Sequence, residues 1–212
     1  NSMINFEFKW NAAQSDYETL FSKYSNALNN ELKGYSVLNY VSSHDDGQPF
    51  DANRVKGFEA GTKLLLSSGM SQVYYGDESN RSLVIEGTQG DATLRSNMNW
   101  DDIQNNPDTK RMLWHWQKLG QFRKNHPAVG AGIHSKIESK HYLFSRTYTN
   151  GNFTDKVIIG LDLPEGKKEL PVNSIFENGT KLKDSFSDQE TEVIHGKVTI
   201  DSEYGIVLLE KI

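Results

Sequence analysis

Near Pro127 the spacing of apolar residues changes from helical to alternating, and that change constrains the fold more than any other feature. Upstream, strand-like and helix-like segments take turns. "MINFEF", Met3 to Phe8, reads as a strand, and Ser15 to Glu18 reads as an S-x-x-E capping box ahead of Tyr17, Leu20, Phe21, Tyr24 and Leu28 at helical spacing. "YSVLNYV", Tyr35 to Val41, is a second strand, and Val55, Phe58, Thr62 and Leu65 mark one face of a helix ending near Gly69. "SQVYYG", Ser71 to Gly76, is a third strand. A last helix opens at Pro107, carries Met112, Leu113, Trp116, Leu119 and Phe122 toward a core, and stops before Pro127. Such alternation implies parallel strands with helices outside.

Downstream, "HYLFSRTYT", "KVIIGLDL", "KVTIDS" and "YGIVLLEKI" are rich in β-branched and aromatic residues. Turn signals separate them at Asn150-Gly151, Asn178-Gly179 and Gly196-Lys197. The expected fold class is α/β plus all-β, with residues 1–127 in the parallel part and residues 128–212 in an antiparallel β-sandwich. Three β–α units fall short of a closed barrel, which needs eight units and roughly 250 residues, so more of the barrel is expected upstream. The opening "NSMINFEFKW" fits that expectation, because it starts in strand-like sequence with no signal peptide.

Composition narrows the partners. The 212 residues carry a formal net charge of -5, whereas a nucleic acid or an anionic membrane calls for clustered Lys and Arg. A neutral or weakly charged ligand is easier to accommodate. Cysteine is absent, which removes disulfides, a thiol nucleophile and any Cys-based zinc site. No apolar run approaches the ~20 residues of a membrane span.

The segment "NYVSSHDDGQPFDANR" runs from a strand into His44, Asp45 and Asp46. Alone, it reads as a polar β–α loop in which an Asp caps the next helix. In a parallel β/α barrel, however, functional side chains sit at the carboxyl ends of strands, where these three stand. Farther on, Asp91 and Arg95 are four apart and could form a surface ion pair, which contributes little.

Taken together, these segments resemble the α-amylase family, glycoside hydrolase family 13, and specifically the C-terminal half of its members. Ser43, His44 and Asp45 stand where the family has Asn-His-Asp at the end of the seventh barrel strand, with Ser in place of Asn. "GMSQVYYGDE" is similar to the stretch through the eighth strand, "DATLRSNMNWD" to the loop after it, and "WQKLGQFRKNHPAVGAG" to the closing helix and its exit into the β-domain. The resemblance implies the C-terminal part of a (β/α)8 barrel followed by a β-sandwich. It also implies a retaining glycosidase cleaving α-1,4-glucosidic bonds in starch, glycogen or maltooligosaccharides. A glucanotransferase, an α-1,6-acting enzyme, and a non-catalytic carbohydrate-binding or transporter-associated relative are the alternatives.

Retaining members use a carboxylate nucleophile, a protonated Glu as general acid, and a third carboxylate that steadies the distorted sugar. The resemblance gives Asp45 the third role, as catalytic residue, and makes His44, Asp91 and Arg95 substrate-binding. It assigns Asp46 no role. Tyr74, Tyr75, Asp77 and Glu78 are expected to support the end of the eighth strand, and Trp100 and Trp116 to lie in the core. The nucleophile and the acid belong to the fourth and fifth strands, so this chain alone is expected to be inactive and to need the N-terminal part of the same barrel as its partner. No cofactor is expected in the chain, although calcium is common in the family with ligands largely in the other half. The resemblance favours a bacterial secreted or cell-surface protein.

Overall fold

A computed structural model of the chain describes residues 2–45 and 47–212, and of Asp91 only the backbone. Two compact units emerge, Asn1–Gln121 and Phe122–Ile212.

The first unit is built on a parallel three-stranded sheet in the order β1 (Ser2–Asn5), β2 (Ser36–Asn39), β3 (Met70–Ser71). All three strands are shorter than their sequence suggests. The first stops at Asn5 because Phe8 and Ala12, one helical turn apart and both fully buried, belong instead to helix α1 (Phe8–Gln14). The second pairs only to Asn39, although the buried Tyr40 and Val41 continue its course inward. The third pairs over two residues, and Gly76 at φ +84° turns the chain back. A Cβ on Gly76 would lie 2.4 Å from Arg81 Nε, so the tightness of that turn requires glycine.

Helix α2 (Tyr17–Asn29) starts one residue later than the expected capping box. Asp16 is its N-cap, accepting the Thr19 amide at 2.8 Å, and Leu20, Phe21 and Tyr24 form the buried face. Helix α3 (Gly57–Leu66) excludes Val55, which is 79% exposed. Asp51 accepts the amides of Val55 and Lys56 at 3.0 and 2.7 Å and so organises the helix entry. Lys63 of α3 reaches the carbonyls of Ala12 and Ser15 at 2.6 and 2.9 Å, placing a cation at the carboxyl end of α1 where the helix dipole favours it.

After the 3-10 turn Gly90–Leu94 come α4 (Trp100–Asn105) and α5 (Pro107–Asn125). Helix α5 begins at Pro107, as expected from the sequence, and buries Met112, Trp116, Leu119 and Phe122. Trp116 lies over Gly61 of α3, where an added Cβ would be 2.8 Å from the indole, and its Nε1 donates to the Gly57 carbonyl at 3.1 Å. Trp100, expected in the core, is 64% exposed; it stands at the start of the short α4, which buries none of its residues.

In the second unit a short helix, α6 (Pro127–Ala131), leads into an antiparallel sheet of order β4-β5-β6-β11-β8-β9. Its strands are β4 (Ile133–Ile137), β5 (Tyr142–Asn150), β6 (Phe153–Leu161), β8 (Lys181–Asp184), β9 (Gln189–Glu192) and β11 (Val207–Lys211), and β7 (Gly166–Pro171) pairs with β10 (Lys197–Ser202). Leu143, Ile158, Leu182, Val207 and Leu209 from the large sheet share one core with Leu170, Val198 and Ile200 from the small one, which makes the sandwich. Phe144 and Arg146 are buried on the opposite face of β5, and Arg146 Nη1 donates to the Val129 carbonyl of α6. The second turn signal holds at Asn178-Gly179, and the first and third are each shifted by one residue: the β5–β6 loop is Gly151-Asn152, because Asn150 pairs with Phe153. His195 and Gly196, both at positive φ, form the tight turn between Ile194 and Lys197.

Candidate functional site

The carboxyl ends of β2 and β3 carry two irregular segments, and the candidate residues lie on these. Past β2 the chain stays buried through Ser42 and Ser43, then emerges at His44 and Asp45, whose side chains are 60% and 59% exposed. Ser43 Oγ donates to Asp45 Oδ1 at 2.9 Å, so the carboxylate is braced by its own loop and open to solvent. His44 Nε2 stands 3.9 Å from Asp45 Oδ2, which leaves the imidazole and the carboxylate adjacent on one exposed surface.

Arg95, just past the 3-10 turn, reaches the same loop: its Nε donates to the His44 carbonyl at 3.3 Å across 51 residues of sequence. His44, Asp45 and Arg95 are thus brought together. The side chain of Asp91 and the whole of Asp46 lie outside the described residues.

Behind this surface is a buried polar cluster. Asp77, 2% exposed, accepts the Ser42 hydroxyl at 2.7 Å on each carboxylate oxygen and pairs with Arg54 Nη1 at 2.9 Å. Burial pushes its carboxyl above the usual range, against the opposing pull of Arg54 and the Ser42 hydroxyl. Arg54 Nε donates to the Arg81 carbonyl at 2.7 Å, and Asn80 Nδ2 to the Arg54 carbonyl at 2.8 Å.

Tyr74, Tyr75 and Glu78 hold the segment after β3. Tyr74 Oη donates to the Leu94 carbonyl at 3.0 Å, Tyr75 Oη donates to the Ser96 carbonyl at 2.9 Å, and Glu78 Oε2 accepts the Gly76 amide at 3.0 Å. The guanidinium of Arg81 lies 4.0 Å from the Tyr75 ring centroid and donates to the carbonyls of Tyr75 and Ser96 at 3.0 Å each. These bonds join the turn after β3 to the end of the 3-10 turn and the irregular segment that carry Arg95. Sequence reasoning placed Asp77 near this support but missed its partners. Ser42 is 35 residues away, and no local pattern links the two.

Among the described residues no group of three His, Cys, Asp or Glu side chains could hold a metal ion. What the exposed set can do is bind and stabilise charge. An exposed aspartate next to an imidazole can hold vicinal hydroxyls by charge-assisted hydrogen bonds and oppose a developing positive charge.

No family model matches the chain. The chain is 35% identical over 161 residues to the periplasmic alpha-amylase of Escherichia coli (strain K12), a match covering 75% of this chain and 22% of that protein. An Anoxybacillus alpha-amylase structure aligns with 99% of the chain at 21% identity and a TM-score of 0.61. The alpha-amylase from Geobacillus thermoleovorans, solved with acarbose, aligns with all of it at 14% identity and a TM-score of 0.64. The chain spans 47% and 48% of those two structures. The resemblance to the α-amylase family is therefore present in sequence and in fold, over a part of its members' length.

Proposed function

We propose that this chain is the C-terminal part of a retaining α-glucan hydrolase of the α-amylase type, which cleaves α-1,4-glucosidic bonds in starch, glycogen or maltooligosaccharides. One observation carries the reading. Arg95 and the His44–Asp45 loop, far apart in sequence, meet at the carboxyl end of parallel strands, in a chain 35% identical to an alpha-amylase over 161 residues. Acarbose in the Geobacillus thermoleovorans structure supports an oligosaccharide as the ligand class.

In this reading Asp45 is the carboxylate that holds hydroxyls of the distorted sugar and opposes the positive charge of its oxocarbenium-like transition state. His44 donates a hydrogen bond to the same sugar, and Asp91 and Arg95 grip the neighbouring glucose. A retaining site also needs two carboxyl groups about 5–5.5 Å apart across the scissile bond, one as nucleophile and one as acid. Both come from the N-terminal part of the same barrel, which is the partner of residues 1–127. Residues 128–212 form the β-sandwich domain. Export from a bacterial cell fits the periplasmic relative, and among the described residues no helix is long and apolar enough to cross a membrane.

The test is an assay of the 212-residue chain on a chromogenic maltooligosaccharide, before and after addition of the separately produced N-terminal part. Turnover is expected only in the second assay, with the product released in the α configuration. Turnover by the chain alone, or none by the reconstituted protein, overturns the reading.

A further inference from the structure

The excursion that carries His44 and Asp45 is closed by the Phe50 amide, which donates to the Val41 carbonyl at 2.8 Å, and is tied from both sides to one buried carboxylate. Ser42 precedes its exposed part and Arg54 follows it, and both residues bond to the carboxylate of Asp77. Between them, His44 and Asp45 are exposed, and the Arg95 bond at 3.3 Å is long and solvent-facing. The bonds of Ser42 and Arg54 to Asp77, at 2.7 and 2.9 Å, are short and buried by comparison.

We propose that Asp77 is a positioning residue that sets the placement of Asp45 and His44 by tying their loop from both sides; the inference rests on the function proposed above. Asp77 is 2% exposed and does not reach the open surface, so its effect passes through Ser42 and Arg54. Arg54 also sits at φ +56°, a left-handed conformation that costs a non-glycine residue free energy unless its surroundings enforce it. Three contacts enforce it here: the Asp77 carboxylate, the Arg81 carbonyl and the Asn80 amide. This is more machinery than is needed to close a surface loop, because closure entropy changes only slowly with loop length. It is what a loop needs when its exposed tip must present a carboxylate at a fixed point, since a displacement of about 1 Å can cost on the order of 100-fold in rate.

Two substitutions separate positioning from simple stabilisation in the complete protein. Ser42→Ala removes one of the two anchors and leaves the Asp77–Arg54 pair intact. Asp77→Asn keeps the shape but removes the charge that fixes Arg54. The first is expected to lower kcat on a maltooligosaccharide by about 10-fold or more with KM within about 2-fold, because a stabiliser of the transition state is displaced while ground-state binding persists. Amide exchange should accelerate in residues 43–54 and stay unchanged in α3 and α5. Asp77→Asn should show the same pattern, more strongly.

A lower melting temperature with unchanged kcat and unchanged exchange in 43–54 would reduce Asp77 to a structural role and overturn the proposal. No turnover by the unsubstituted complete protein would overturn the function proposed above. The exchange comparison needs no substrate and still decides whether Asp77 pins the loop.

Discussion

His115 links acidity to the packing of α3 against α5 in a way that can be measured. It lies on α5, 4% exposed, with Nε2 3.1 Å from both Thr62 Oγ1 and the Phe58 carbonyl oxygen. The Phe58 ring meets it edge-on at 5.1 Å. Burial lowers its pKa from 6.5 to about 4, with the Phe58 carbonyl opposing. The unfolded chain takes up a proton below its ordinary value, whereas the folded chain resists until about 4. The stabilisation is therefore complete above pH 6.5 and is lost as the pH falls toward 4.

At ~1.4 kcal/mol per tenfold change, the full window corresponds to roughly 3 kcal/mol, and the part between about pH 7.5 and about pH 5 to roughly 2 kcal/mol. Glutamine at this position can still bond to the Phe58 carbonyl but cannot take the proton. The assay is urea unfolding, followed by tryptophan emission, of the unsubstituted protein and His115→Gln at both pH values. The loss on acidification should be smaller in His115→Gln by about 2 kcal/mol, after every other titrating group has cancelled in the difference. Equal losses in the two proteins would refute the reasoning, because His115 would then have no protonation difference between its folded and unfolded states.

Two other consequences follow from named contacts. Arg95→Ala in the complete protein removes both a cation and the donor to the His44 carbonyl, so KM for maltooligosaccharides should rise by about 10-fold, with kcat reduced less; an unchanged KM would place Arg95 outside the binding surface. Asp184 is fully buried in the β-sandwich and accepts the amides of Leu208, Phe186 and Ser187 at 2.7, 3.1 and 3.3 Å, so Asp184→Ala leaves three donors unmet at about 1–3 kcal/mol each. Thermal unfolding of the second unit should shift down sharply, and a shift of under about 2 °C would contradict this accounting.

How legible the molecule is in its sequence varies with the range of the interactions. Pro107 and the Met112, Trp116, Leu119 and Phe122 spacing define α5 because both signals are local. The strands β5, β6, β10 and β11 show alternating or continuous apolar runs and are evident. By contrast, β7 "GKKELP", β8 "KLKD" and β9 "QETE" are polar, and only pairing to neighbours makes them strands. Phe8 read as the end of a strand because one aromatic fits either period; the fully buried Ala12 one turn on decides for helix.

The exposed part of the candidate site, His44, Asp45 and Arg95, was legible through motif resemblance. The clamp beneath it was not. Ser42, Arg54 and Asp77 are ordinary polar residues whose meaning lies in contacts across 35 residues of sequence.

The central claim is that Asp45 is a transition-state carboxylate of an α-glucan hydrolase, and the most direct measurement is kcat of Asp45→Asn in the complete protein. The replacement keeps the side-chain shape, and the exposed position means that folding should be unaffected. Removal of one preorganised charge predicts a fall in kcat of at least roughly 100-fold at an unchanged melting temperature. Near-normal turnover of starch or maltooligosaccharide by Asp45→Asn would contradict the account.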